Sequence, residues 1–289
     1  MRGSFNADVF DFFDTGTFSA SVGCLTLFRS LFALSLLLKH LVELSRKYPN
    51  HASKGSFIFE TYIKKNRIRK YLHTLYMFTF WTRPAFLSFV LLGIQPRFSV
   101  FLLLISYSGE LCVLFRYHLM MAWMVMFVMV VDPAFTHSLS IFNVCNLKST
   151  PFSTYLNAPG VLFLKTLVLT MYLSSAWRKI QYRFYDGVVL TEGSRFLLNK
   201  SGRKFPDHPN RLTKYLMNAV ISNFPVGLAR LTIVAEIAIF VLLFLGGTYA
   251  YVGCCIGVFL HLGMTLLFPI TLSFFTAMMF SSYVLWLIP

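Results

Sequence analysis

Lys179 closes an apolar run, Met171-Tyr172-Leu173-Ser174-Ser175-Ala176-Trp177-Arg178-Lys179-Ile180, and Phe184-Tyr185-Asp186-Gly187 follows almost at once. An ionisable group at membrane depth is costly, so each one is a functional-site hypothesis. The chemistry open to a lysine there is proton abstraction, because a desolvated side chain can supply a neutral amine as a base. Lys165, Leu169, Tyr172, Ala176 and Lys179 recur at helical spacing and share one face. The two lysines of this stripe stand roughly 21 Å apart along a helix, toward opposite membrane surfaces. Ser174, Ser175 and Ala176 are small and allow a neighbouring helix to come close. Spacing alone leaves two readings open: Lys179 faces a packed interior as a base, or Arg178 and Lys179 snorkel to the headgroups.

Other polar groups fall inside apolar segments. His118 follows Arg116-Tyr117, His261 lies in Phe259-Leu260-His261-Leu262, and Glu236 lies in Val234-Ala235-Glu236-Ile237. A histidine or carboxylate in mid-membrane needs a partner, either across a helix–helix contact or in a functional cavity. Arg230 is off-face from Glu236, so its partner is expected on another helix, with Lys179 and Arg29 as candidates. Arg29 lies deep in the first apolar run, whereas Lys39 is placed to snorkel. The sequence contains no nucleophile elbow, Walker loop or paired carboxylate site. The five cysteines, Cys24, Cys112, Cys145, Cys254 and Cys255, show no zinc-binding spacing, so no metal is expected.

These residues are carried by a chain that is 56% hydrophobic and only 13% charged. Water-soluble domains carry about 25% charged residues. Long apolar runs alternate with short basic segments, which predicts an all-α polytopic membrane protein with about eight transmembrane helices in one bundle. The expected spans are Phe18–Leu41, Tyr71–Ile94, Phe98–Phe115, Tyr117–Val131, Gly160–Trp177, Val226–Leu245, Tyr249–Phe268 and Ile270–Leu287. The last two come from one apolar stretch, too long for a single crossing of a core about 30 Å thick, divided at Pro269. Tyr107-Ser108-Gly109-Glu110 interrupts the third span, which with the fourth makes either two crossings or one bent hairpin.

The net charge is +15, with basic residues concentrated in Arg46–Lys70 and Arg178–Lys214. Both segments flank apolar runs, so the positive-inside rule and anionic headgroups account for them, and no nucleic-acid partner is expected. Either segment can instead lie at the interface as an amphipathic helix. With Arg46–Lys70 cytoplasmic, the other basic loops fall on the same side and the N-terminus lies outside. Met1–Thr17 has one Arg and three Asp, unlike a signal peptide, so the first span is expected to direct insertion. With no internal repeat, residues 1–289 read as a single transmembrane domain with no soluble C-terminal domain.

The segment Tyr172–Gly187 resembles the signature of the HTTM (horizontally transferred transmembrane) domain family. That family includes vitamin K-dependent γ-glutamyl carboxylase and the SdpB-type proteins of antimicrobial-peptide systems. Its pattern of a tyrosine, small residues, a lysine, an aromatic and an acidic-Gly pair is filled by Tyr172, Ser174-Ser175-Ala176, Lys179, Phe184 and Asp186-Gly187. Phe184 replaces the usual Trp, and Arg178-Lys179 the usual Lys-Lys. His118, Glu236 and His261 with Phe268–Phe280 match further landmarks, and Ser21 to Leu34 is similar to the first span of SdpB-type proteins. The resemblance implies that Lys179 is the base that deprotonates a lipid quinol of the vitamin K hydroquinone type, with His118 as its polar support. It further implies that Tyr172, His261 and Glu236 line the cofactor cavity. The SdpB-type subgroup is closest, since the sequence ends at Pro289 without the carboxylase's large soluble region. The implied role is maturation of a secreted antimicrobial peptide at the bacterial cell membrane, with a peptide substrate and partner maturation proteins. The alternative, from a different class, is a non-catalytic transporter or immunity component, in which Lys165, Arg29 and Glu236 matter more than Lys179.

Overall fold

In a computed structural model, the described residues are 19–45, 67–113, 117–135, 155–199, 215, 217–267 and 273–287. They form nine α-helices and one two-stranded ribbon. The helices are α1 (Val22–Ser45), α2 (Arg67–Leu92), α3 (Pro96–Val113), α4 (Tyr117–Val131), α5 (Pro159–Gln181), α6 (Val188–Asn199), α7 (Pro225–Leu245), α8 (Gly247–Leu267) and α9 (Ser273–Leu287). The all-α class expected from the sequence is what the chain adopts. Five helices, within α1, α2, α5, α7 and α8, are long and apolar enough to cross a membrane among the described residues. Two apolar segments, Leu119–Val131 and Phe274–Leu287, are shorter.

The distribution of side chains supports a lipid surround. On α2 the buried positions are His73, Tyr76, Phe80, Arg83, Leu87 and Val90, at alternating spacings of three and four. Its outward face carries large apolar side chains, with Phe78 74% and Trp81 63% exposed. On α7 Leu231 and Val234 face outward as well, while Thr232 and Glu236 are buried along with Ala229, Ile233 and Ile239. A water-soluble helix keeps its outward face polar. The chain is therefore built as a membrane-embedded helical protein.

The contacts divide the chain into two compact units, one of Phe18–Leu164 with Ala277–Pro289 and one containing Lys165–Thr276. In the first unit, Ser19–Ser21 pairs antiparallel with Tyr155–Asn157, with Ala20 opposite Leu156. Leu25, Phe28, Phe32 and Leu36 carry the buried face of α1, and Phe28 also meets Phe135 at 5.9 Å between ring centroids. In its last two turns that same face becomes polar, with Lys39, His40 and Glu43. α2 packs against both α1 and α3.

Two expectations are corrected here. α3 runs without a break through Tyr107-Ser108-Gly109-Glu110. Its Glu110 is fully buried and ion-paired, so the acid faces the bundle and does not end the helix. Lys39 does not snorkel, because its ammonium donates to Glu43 Oε1 at 2.6 Å and Glu110 Oε1 at 3.0 Å. Two carboxylates at contact distance offset much of the desolvation cost of keeping this lysine inside the bundle. Pro269 and most of Arg46–Lys70 lie outside the described residues.

In the second unit, α7 and α8 form a hairpin across Gly246-Gly247, both at positive φ (71° and 51°). Only glycine enters that region without strain, and it permits a turn this tight between two long helices. Pro225 opens α7, where its missing N–H costs no helical hydrogen bond. The basic segment after Lys179 contains a further helix, α6, which packs on the start of α7.

Candidate functional site

The site is built in the second unit from the C-terminal half of α5 and from α7 and α8. The stripe expected on α5 is the buried one: Leu169, Tyr172 and Ala176 are each no more than 5% exposed. The Lys179 side chain is 18% exposed and forms an ion pair with Glu236, whose side chain is 6% exposed. Lys179 Nζ also donates to Ser175 Oγ at 3.0 Å, and Ser175 Oγ donates to Glu236 Oε1 at 3.0 Å. Of the two partners expected for Glu236, the structure gives it Lys179. The small residue at 175 thus does more than admit a neighbouring helix, since its hydroxyl closes a three-membered polar cycle across α5 and α7. Glu236 Oε2 is buried and accepts no hydrogen bond among the described residues.

One turn earlier on α5, Tyr172 shares a 2.7 Å hydrogen bond between its hydroxyl and His261 Nε2 of α8. Phe275 packs edge-on to the His261 ring at 5.4 Å between centroids. Thr276 Oγ1 donates to the His261 carbonyl at 3.4 Å and shares a 2.7 Å bond with Thr265 Oγ1. Four of the five residues singled out from sequence, Lys179, Glu236, Tyr172 and His261, are therefore brought together on three helices. The fifth, His118, opens α4, and its side chain lies outside the described residues. Removing one partner of a buried neutral hydrogen bond costs about 1–3 kcal/mol. Tyr172→Phe is accordingly expected to lower stability by about that amount, read by thermal unfolding in detergent.

The residues after the lysine explain themselves structurally. Phe184, in a short 3-10 turn (Phe184–Asp186), places its ring 5.7 Å from Lys179 Nζ, within the reach of a cation–π contact. Gly187 closes this turn at φ 74°, and its N–H donates to the Phe184 carbonyl at 3.0 Å. A Cβ at position 187 would stand 2.7 Å from both the Pro225 carbonyl carbon and the Val226 nitrogen. The glycine therefore lets the chain leaving Lys179 pack directly on the start of α7, the helix that carries Glu236. Gly187→Ala combines a left-handed backbone with overlap against main chain, and each effect alone costs about 1 kcal/mol or more. It is expected to lower the unfolding temperature more than Gly193→Ala, whose added Cβ meets nothing within 4 Å.

No group of three or more His, Cys, Asp or Glu among the described residues is arranged to hold a metal ion. Comparison with protein families, with curated proteins and with solved structures finds no match.

Proposed function

We propose that this chain is an HTTM-type membrane protein of the SdpB-like class that acts in maturation of a secreted peptide, with Lys179 as the base of a quinol-dependent reaction. The observation that carries the reading is the Lys179–Ser175–Glu236 cycle with Tyr172–His261 one turn away. Tyr172, Ser175, Lys179, Phe184 and Gly187 of the motif that prompted the resemblance each have a part in it or in its surroundings. A structural ion pair requires neither the tyrosine–histidine pair nor the aromatic ring beside the ammonium.

The residues suit a lipid quinol head. Phe184 and Phe275 offer ring surfaces, Tyr172 and His261 offer a hydroxyl and a ring nitrogen, and Glu236 Oε2 is a buried acceptor without a partner. When bound, such a group supplies a hydroxyl proton for removal and, in its anionic form, reactivity toward oxygen. The chain's own part is proton handling. Glu236 takes a proton from Lys179 Nζ, which leaves a neutral amine, and Ser175 holds that amine toward the face shared with Tyr172. The exposed apolar surfaces of α5, α7 and α8 give a lipid molecule access to the site. In this reading, the eight expected spans cross a bacterial cell membrane with the basic segments in the cytoplasm. A peptide substrate and partner maturation proteins meet the chain at that membrane.

The second reading, a non-catalytic transporter or immunity component, is favoured by one observation: the Lys179 ammonium is already matched by a carboxylate. Mass spectrometry of co-purifying lipids separates the two. A quinone retained by the wild type and lost from a folded Lys179→Met/Glu236→Gln variant is the expected result. Folded proteins with no quinone in either sample favour the second reading.

A further inference from the structure

The first unit holds a polar cluster that the site above does not use. Lys39 lies between Glu43 and Glu110, at 2.6 Å and 3.0 Å. The second oxygen of Glu110 is ion-paired with Arg83, which also donates through Nε to Ser106 Oγ at 2.7 Å and through a terminal nitrogen to the Ser106 carbonyl at 3.0 Å. The Tyr107 ring lies 4.0 Å from the guanidinium carbon and 5.2 Å from Lys39 Nζ. Arg83, Glu110 and His40 are fully buried. Two cations face two carboxylates, so the cluster is neutral as a whole while sitting in helices that face lipid.

Its members are not equally tied. Both oxygens of Glu110 are engaged, whereas Glu43 uses one oxygen and its buried Oε2 has no hydrogen-bond partner among the described residues. The same is true of both ring nitrogens of His40, which stacks on Phe80 at 4.4 Å between centroids. His40 and Glu43 are one turn apart on the same face of α1. Buried polar atoms without partners are rare and call for an explanation. Here an unsatisfied imidazole and an unsatisfied acceptor oxygen belong to residues three apart on one face of α1, in the last two turns before it ends at Ser45.

We propose that this cluster is an intramembrane proton-exchange site, in which Glu43 takes up and releases the proton and His40 accepts the hydrogen bond of the resulting carboxylic acid. In the uptake step a proton from water at the end of α1 bonds to Glu43 Oε2. The carboxylate becomes a neutral carboxylic acid, and its new O–H donates to a ring nitrogen of His40. One hydrogen bond then satisfies Glu43 Oε2 and one of the two His40 ring nitrogens. Lys39 keeps Glu110 as its counter-ion, the Arg83–Glu110 pair is untouched, and the cluster gains one positive charge. Release returns the proton to water by the same route. The titratable and charged groups on the buried faces packed together here are Lys39 and His40 on α1, His73, Tyr76 and Arg83 on α2, and Tyr107 and Glu110 on α3. This inference does not rest on the reading of the Lys179 site, which lies in the other unit.

Infrared difference spectroscopy tests it, on the full chain in lipid nanodiscs, between neutral and acidic pH. The wild type is expected to gain the carbonyl stretch of a buried neutral carboxylic acid. Glu43→Gln loses that band, and Glu236→Gln keeps it. His40→Phe retains the band but moves it to higher frequency, because the acid loses its hydrogen-bond acceptor. Identical difference spectra for wild type and Glu43→Gln overturn the proposal. Should Glu43→Gln fail to give monodisperse protein, the His40→Phe spectrum decides alone, and an unshifted band there overturns it.

Discussion

Arg83→Leu is expected to abolish stable folding of this protein, although position 83 lies nowhere near Lys179 in sequence and is absent from any motif. The guanidinium is fully buried, pairs with Glu110, and donates twice to Ser106. Removing one partner of a buried ion pair strands the other charge and costs about 3–5 kcal/mol. Total stabilities are commonly only about 5–15 kcal/mol, so one such loss consumes much of the margin. Lys39 still faces Glu110 in the variant, which moderates the charge imbalance, but the Ser106 carbonyl and hydroxyl lose their donor. Arg83→Lys separates the two contributions. A lysine restores charge opposite Glu110 and cannot reproduce the fork that reaches Glu110 and Ser106 together. The expected order of unfolding temperature in detergent is wild type, then Lys, then Leu, with the leucine variant aggregated on size exclusion. Equal melting of Arg83→Leu and wild type would show that the cluster does not hold α2 to α3.

That cluster also marks where sequence reading stops. Lys179, Glu236, Tyr172 and His261 were legible because each is a polar residue in an otherwise apolar run, and helical spacing fixes the face of α5 they meet. The helices could be placed to within a few residues for the same reason, since period and hydropathy determine where an apolar run begins and ends. Helix α4 occupies Tyr117–Val131, the range expected for an apolar helix there, and α7 runs over Pro225–Leu245 against an expected Val226–Leu245. Pairing between distant helices is a different matter. Glu110 sits beside Gly109 in a polar stretch and reads as an interruption, and Arg83 hides in Thr82-Arg83-Pro84 near a proline that sequence rules associate with helix ends. Lys39 near the end of an apolar run is indistinguishable from a snorkelling lysine until its two carboxylates are located. Each was ambiguous alone. Which acid meets which base depends on the register of three helices, and the first three apolar runs carry three cations, Arg29, Lys39 and Arg83, against Glu110, with Glu43 just past the end of the first run. Sequence likewise offers no sign that Ser175 bridges Lys179 and Glu236, because a serine there is equally well explained by close helix packing.

A double-mutant cycle on Lys179 and Glu236 separates structure from chemistry at the candidate site. Lys179→Met alone leaves the Glu236 carboxylate buried, still bonded to Ser175 and without a counter-charge. Glu236→Gln alone leaves an ammonium facing a neutral amide. Because the Lys179 side chain keeps some solvent contact, each single change is expected to cost about 2–3 kcal/mol, below the full cost for a dry pair. Replacing both removes the charges together, and buried pairs replaced by neutral residues of similar size are often no less stable. The double variant should therefore melt close to the wild type, which with single costs of about 2–3 kcal/mol each corresponds to a coupling of about 4–6 kcal/mol. If the pair is structural glue, recovery of stability brings recovery of everything else. If Lys179 is a base and Glu236 its proton acceptor, the double variant is folded and inactive, because methionine has no amine to deprotonate a quinol. Melting temperature and quinone content measured on the same preparations distinguish these cases. A stable double variant that keeps wild-type quinone content shows that the pair does not hold the lipid, and a stable one stripped of quinone leaves the lysine as the residue around which the site is organised.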